Sequence, residues 1–276
     1  MNMKTNYILI SLLQLVPLIL LSQTSVMSYN IRYATQNDNE NQWEYRKEEV
    51  AKLIDYYGPE IFGIQEGLYN QVTYLDSVLQ DYKYVGVGRD DGKMKGEYTA
   101  IYYKHDRFKL ISTQTYWLSE TPDRPSVGWD ASMERIATFG EFYDVRTKDT
   151  LYVFNCHFDH IGKTSRKNSA NLLLKIMDDR NIKHKKVLVL GDLNCEPMDE
   201  PMEILKTELT DTYTSQSTLT YGPYGTFNQF NSQMVLQKRI DYILVKNIEV
   251  QEYRHIDDRR KNNLYPSDHL PVQIKF

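Results

Sequence analysis

Several short apolar runs in this chain share one property: their alternate side chains lead to a polar group. In an extended strand successive side chains point to opposite faces, so residues two apart share a face. Val26, Ser28 and Asn30 share such a face, and Asn30 ends it. Phe62, Ile64 and Glu66 make a second, ending in a carboxylate. Leu151, Val153, Asn155 and His157 end in an amide and an imidazole, and Leu188, Leu190, Asp192 and Asn194 in a carboxylate and an amide. Two later runs reverse the order, with Asp241 at the start of the segment 240–245 and Asp268-His269 directly before 270–276. If those later strands lie antiparallel to the earlier ones, all of these groups gather at one rim. Strand ends are commonly polar, so the pattern alone leaves coincidence open as well.

The segments between these runs set the architecture. Residues 43–57 carry Val50, Leu53, Ile54 and Tyr57 at helical spacing, and Gly58-Pro59 stops them. Residues 70–79 read as a second helix, and 167–178 as a third with Leu172, Leu173, Ile176 and Met177 on one face. Strands are expected over 25–33, 61–65, 82–88, 99–104, 108–118, 135–144, 151–158, 187–190, 240–245, 248–253 and 270–276. The run 187–190 is apolar on both faces, as in a strand covered from both sides. Strands outnumber helices, which argues for packed sheets flanked by helices, a layered α/β sandwich.

No internal repeat or Pro/Gly/Ser-rich linker interrupts residues 23–276, which read as one domain. Residues 1–22 differ: one charge, Lys4, precedes an apolar stretch over 8–21 broken only by Ser11, Gln14 and Pro17. That stretch is too short to span a bilayer as a stable helix and fits a secretory signal, with the mature chain starting near Gln23. Export to the periplasm or medium is the expectation, without stable membrane insertion after cleavage; a retained N-terminal anchor is the alternative.

The formal net charge is −4, and loss of Lys4 with the signal would take it to −5. No long basic run appears, which argues against a tight polyanion binder. It does not argue against hydrolysing phosphate esters, because a bound cation can supply local positive charge. Cys156 and Cys195 each lie in a strand-like run beside candidate site residues, and buried free thiols are expected there rather than a disulfide.

Residue types favour a site over coincidence at the rim. Glu66, Asp192 and Asp268 offer oxygens suited to a hard cation, and Asn30 and Asn194 add amide oxygens. No thiolate cluster or paired-histidine spacing suggests structural zinc. Carboxylates with one or two histidines suit metal-assisted attack on phosphorus.

Taken together, Ser28-Tyr29-Asn30, Ile64-Gln65-Glu66, Asn155-Cys156-His157, Gly191-Asp192-Leu193-Asn194, Arg239-Ile240-Asp241-Tyr242 and Ser267-Asp268-His269 resemble the endonuclease/exonuclease/phosphatase superfamily. The resemblance runs over essentially the whole of residues 23–276. It implies a four-layer α/β/β/α sandwich of two mainly antiparallel, mixed sheets flanked by helices. It also implies a Mg²⁺-dependent phosphoesterase, with Mn²⁺ a possible substitute. Glu66 would be the principal metal ligand, with Asn30 beside it and Asp268 next to the metal. Asp192 would position or activate water, and Asn194, with Asn155 in the same group, would hold substrate. His269, oriented by Asp241, would contact the scissile phosphate or move a proton, and His157 would bind a phosphoryl oxygen. Abasic-site nucleases carry an acid where this chain has Arg32, and a tyrosine near His157. The Asn-x-His form is more similar to deadenylases, inositol-polyphosphate phosphatases and bacterial sphingomyelinases, and the stretches around Trp117, Trp129 and Phe227 to exported bacterial members. A small phosphorylated substrate and a monomer follow, with a secreted nuclease as the second reading.

Arg135 falls where similar proteins place a phosphate-binding arginine, and Arg166 is a weaker candidate near the site. The polar loop 213–234, with Tyr221, Tyr224, Phe227 and Phe230, reads as a substrate flap or a self-packed loop.

Overall fold

The computed structural model describes residues 23–276. The expected signal segment therefore lies outside the described residues. In chain order the elements are β1 (Ser25–Asn30), a 3₁₀ turn (Gln36–Asn41), α1 (Trp43–Tyr57), β2 (Ile61–Gln65), α2 (Tyr69–Val78), β3 (Tyr82–Val85) and β4 (Ile101–Lys104). They continue with β5 (Phe108–Trp117), β6 (Ile136–Asp144), β7 (Asp149–His157), α3 (Lys163–Asp179), β8 (Lys186–Asp192) and α4 (Glu200–Leu205). The chain closes with β9 (Thr210–Asp211), β10 (Leu219–Tyr221), β11 (Asp241–Lys246), β12 (Glu252–His255) and β13 (Val272–Lys275).

These strands form two mixed sheets, ordered β10-β12-β13-β1-β2-β4-β3 and β5-β6-β7-β8-β11-β9. Period-two alternation gives the central strands two apolar faces, so three large cores form. Met27, Tyr29, Phe62 and Ile64 pack outward with Val50 and Ile54 of α1 and Leu75 of α2. Phe154, Val187, Val189 and Leu244 pack outward from the second sheet with Leu173 and Met177 of α3 and Leu205 of α4. Val26, Ile61, Leu188, Leu190, Ile243 and Val272 meet between the sheets. The result is the four-layer α/β/β/α sandwich.

Local signals explain most boundaries. Helix α1 ends where Gly58 takes a left-handed φ of 52° and its N–H bonds Ile54 O at 2.9 Å, a conformation that suits glycine. Helix α4 and the short strands β9 and β10 were not expected from the sequence, because segments of two to six residues carry too little periodicity. The strand expected over 248–253 is displaced to Glu252–His255. Val250 is buried in the inter-sheet core without belonging to a strand, so apolar character there reports burial and not pairing.

Asn155 is a polar tie between the sheets. Its Nδ2 donates to the carbonyls of Ile64 and Ala100 at 2.8 and 2.9 Å, and its Oδ1 accepts from Gln65 Nε2 at 2.6 Å. Gly63 makes room for it: a Cβ there would lie 2.6 Å from Asn155 Cγ. Asn155→Ala would orphan Ile64 O, at about 1–3 kcal/mol, and take one bond each from Ala100 O, which keeps Ile64 N, and Gln65 Nε2, which keeps Ser28 Oγ, at about 1 kcal/mol apiece. Denaturant titration should show a loss of at least about 3 kcal/mol, while the folded fraction keeps its turnover number. A specific loss of turnover with unchanged stability would overturn this structural assignment.

Candidate active site

Strand register delivers the site. Parallel pairing of β7 with β8 sets His157 beside Asp192, and antiparallel pairing of β8 with β11 sets Asp192 beside Asp241. Strand β13 runs antiparallel to β1, so Asp268 and His269, just before β13, arrive at the rim where β1 ends in Asn30. The polar ends do gather at one rim.

Glu66 arrives by a different route from the expected alternation. Phe62 and Ile64 face the outer helical layer, and a regular continuation would send Glu66 outward too. A left-handed φ of 63° at Glu66 breaks the period instead. Its carboxylate then accepts from Asn30 Nδ2 at 3.0 Å and Tyr33 N at 3.1 Å. Arg32 and Asn194, also on the cleft, have positive φ as well. A non-glycine residue in this region costs of order 1–3 kcal/mol, and such strain clusters at functional sites.

Asp192 is the hub. Its Oδ2 lies 3.0 Å from Asn30 Nδ2, 3.6 Å from His157 Nε2 and 3.7 Å from His269 Nε2, and its Oδ1 accepts from Asn194 N at 3.0 Å. Burial, opposed by the His269 imidazole but reinforced by Asp241 and Glu66, pushes the Asp192 carboxyl up to about 7. His269 Nδ1 contacts Asp241 Oδ2 at 2.8 Å. Burial opposes charge on His269, but Asp241 and Asp192 outweigh it and raise the imidazole well above its usual value. Asp268 is pushed up to about 6, chiefly by burial, with Arg32 Nε 3.9 Å from its Oδ2.

The opposite wall carries the other charge. Arg89, Arg135, His157 and His160 line the same cleft of about 500 Å³ as Glu66, Asp192, Asp268 and His269. One Arg135 nitrogen, Nη1, lies 3.2 and 3.1 Å from both ring nitrogens of His157. No in-plane donor reaches both at that distance, so the guanidinium lies over the ring face. Burial, then Arg135, keeps His157 well below its ordinary pKa and therefore neutral at pH 7.

Two groups of side chains place ligand atoms within 4.8 Å of one another: Glu66, His157 and Asp192, and Asp192, Asp241 and His269. Asp241 Oδ1 is buried without a hydrogen-bond partner. Buried carboxylates with raised pKa values and an orphaned oxygen are what a divalent cation compensates, so the residues fit a hard metal ion.

Residues 27–269 match the family described as the Endonuclease/Exonuclease/phosphatase family. The chain belongs to that family. Its members are hydrolases acting on phosphate esters. An endonuclease/exonuclease/phosphatase family protein from Bacteroides thetaiotaomicron is 34% identical with a TM-score of 0.87, covering 92% of this chain and 97% of that one. The mannosyl-6-phosphatase of the same organism is 35% identical with a TM-score of 0.85, covering 91% and 98%. An uncharacterized protein of Acanthamoeba polyphaga mimivirus is 29% identical over 171 residues, and the match spans 63% of that protein's length.

Within this family fold, two sequence expectations change. Asn155 was expected at the substrate, but it sits two residues short of the β7 rim, inside the sandwich, with its hydrogen bonds used. Arg166 does not line the cleft; its Nη1 holds Asp159 O at 2.9 Å on the α3 side. Asn30 stands beside Glu66, with its Oδ1 accepting from Arg32 N at 3.0 Å. The amide nitrogen therefore faces Glu66 and Asp192 and bridges them as a donor. Arg89 and Glu97 also line the cleft, and no sequence pattern marks them. They lie in an irregular polar connection between β3 and β4, where no period marks a face.

Proposed function

We propose that this chain is an exported, Mg²⁺-dependent hydrolase of a small phosphate ester, with a phosphorylated sugar as the first substrate class to test. The observation that carries the reading is the cleft itself: a carboxylate–imidazole cluster faces an arginine wall across about 500 Å³, the volume of a small-molecule site. Similarity to a mannosyl-6-phosphatase over 91% of this chain supports the sugar class. A divalent cation at Glu66 and Asp192, when bound, would neutralise charge growing on the phosphoryl oxygens.

The side chains supply the rest. Asp192 places its Oδ2 between the two imidazoles, 3.6 Å from His157 Nε2 and 3.7 Å from His269 Nε2, where it would take a proton from the attacking water. As the water oxygen bonds phosphorus, the bond from phosphorus to the alcohol oxygen breaks. His269 is fixed through Nδ1 by Asp241, so its Nε2–H is free to pass a proton to that leaving oxygen. Neutral His157 and Asn194, at the adjacent C-terminal ends of β7 and β8, would face the phosphoryl group.

Competitive kinetics with sugar monophosphates, small phosphodiesters, nucleotides and duplex DNA, all with Mg²⁺, tests this. The highest kcat/KM should fall on a small ester, and N-terminal sequencing of the protein from its native host should start at or near Gln23. Duplex DNA beating every small ester, with log affinity falling about 0.9 per phosphate contacted for each tenfold rise in salt, would make it a nuclease instead.

A further inference from the structure

We infer that Arg89 is a substrate-binding residue that selects the dianionic end of a phosphomonoester over a phosphodiester; the inference rests on the phosphate-ester reading above. Both arginines of the cleft wall lie beside His157, but their donors are committed differently. Arg135 is committed along its length: Nε is 3.3 Å from Asp159, Nη2 is 2.8 Å from His160 Nδ1, and Nη1 is stacked over the His157 ring. Arg135 is thus used in building the wall. Arg89 is not. Its Nη1 pairs with Glu97 at 2.7 Å, its Nη2 meets only the Met133 thioether at 3.1 Å, and its Nε is buried without a hydrogen-bond partner, 3.7 Å from Asp90 Oδ1.

A thioether is a weak acceptor, so Arg89 holds unspent donor capacity on a surface that opens into the catalytic cleft. Its backbone does not drift: Trp117 Nε1 donates to Arg89 O at 2.7 Å, and Arg89 N donates to Glu97 O at 3.1 Å. A planar guanidinium held this way matches two oxygens of a phosphoryl group. A monoester presents three terminal oxygens and close to two charges. A diester presents two and one, and its second ester group would meet the Arg89 wall. Oxygens facing Asp192 and His269 for the reaction leave a third on a monoester for Arg89.

The test uses p-nitrophenyl phosphate as monoester, bis(p-nitrophenyl) phosphate as diester, and inorganic phosphate as a non-reacting ligand. In Arg89→Ala the monoester-to-diester ratio of kcat/KM should fall about ten- to a hundredfold, as expected for loss of a charge-assisted hydrogen bond. The loss should lie mainly in KM, and calorimetry should show phosphate binding weakened by a similar factor. Arg89→Lys, which keeps the charge and loses the planar fork, should recover only part of both. Wild-type protein that hydrolyses neither ester fails the phosphate-ester reading itself. Wild-type protein active on both, with ratio and phosphate affinity changed less than about twofold in a folded Arg89→Ala, overturns the assignment of Arg89 alone.

Discussion

Asp192→Asn should lower kcat by about a hundredfold to ten-thousandfold, the range over which a positioned acid or base acts. The substitution keeps shape and removes charge and proton affinity. Asn30 Nδ2, His157 Nε2 and His269 Nε2 all converge on one Asp192 oxygen, while Asn194 N takes the other. An amide must turn its NH₂ toward either Asn30 Nδ2 or Asn194 N, so it fails to reproduce the acceptor pattern whichever way it lies. It also removes the negative partner that helps keep His269 charged. The fold should not suffer: burial disfavours the Asp192 charge, so the variant should melt no lower than the parent. Steady-state rates on the best small ester, with thermal melts of both proteins, are the measurements. A kcat within about tenfold of the parent would place the chemistry elsewhere.

Removal of divalent metal should abolish turnover, and Mg²⁺ or Mn²⁺ should restore it. The donor set offers carboxylate oxygens with imidazole and no thiolate, because Cys156 and Cys195 are both buried free thiols away from the cleft lining. Glu66 has a tuned position. Burial would raise its pKa, but His269, Asn30 and Arg32 together hold it below the ordinary value, so it stays ionised. Glu66→Ala should therefore raise the metal concentration needed for half-maximal rate more than it changes the rate at saturation. Initial rates against free metal, after chelation and back-extraction, provide the check. Full activity in protein shown to be metal-free by elemental analysis would end the metal-assisted reading.

The two experiments bear on side chains whose legibility in the sequence was uneven. Asp192, Asp241, His157 and His269 could be read because they sit at strand ends, where a two-residue period fixes which face a side chain occupies. Glu66 was placed at the rim for the wrong reason. The period that carries Phe62 and Ile64 points outward, and only the left-handed backbone at Glu66 brings the carboxylate in. Asn155 shows the reverse error: its face was right, but a position two residues from the end lies inside the sandwich. Alternation specifies a face and says nothing about depth.

What the amino-acid sequence determined by itself was the longer helices and strands and the sidedness of their apolar residues. Those follow from local geometry: Val50, Leu53 and Ile54 recur at a helical period and are buried, and 187–190 is apolar on both faces because both sheet faces are covered. What only tertiary structure decided was register, depth and charge compensation. His157 stands beside Asp192, and Asp192 beside Asp241, only because three strands pair in one alignment, and each partner is remote along the chain. Arg89 comes to face that cluster from an irregular connection, where a side chain's direction is set by what holds the loop, here Trp117 and Glu97, and by no repeat in its own residues.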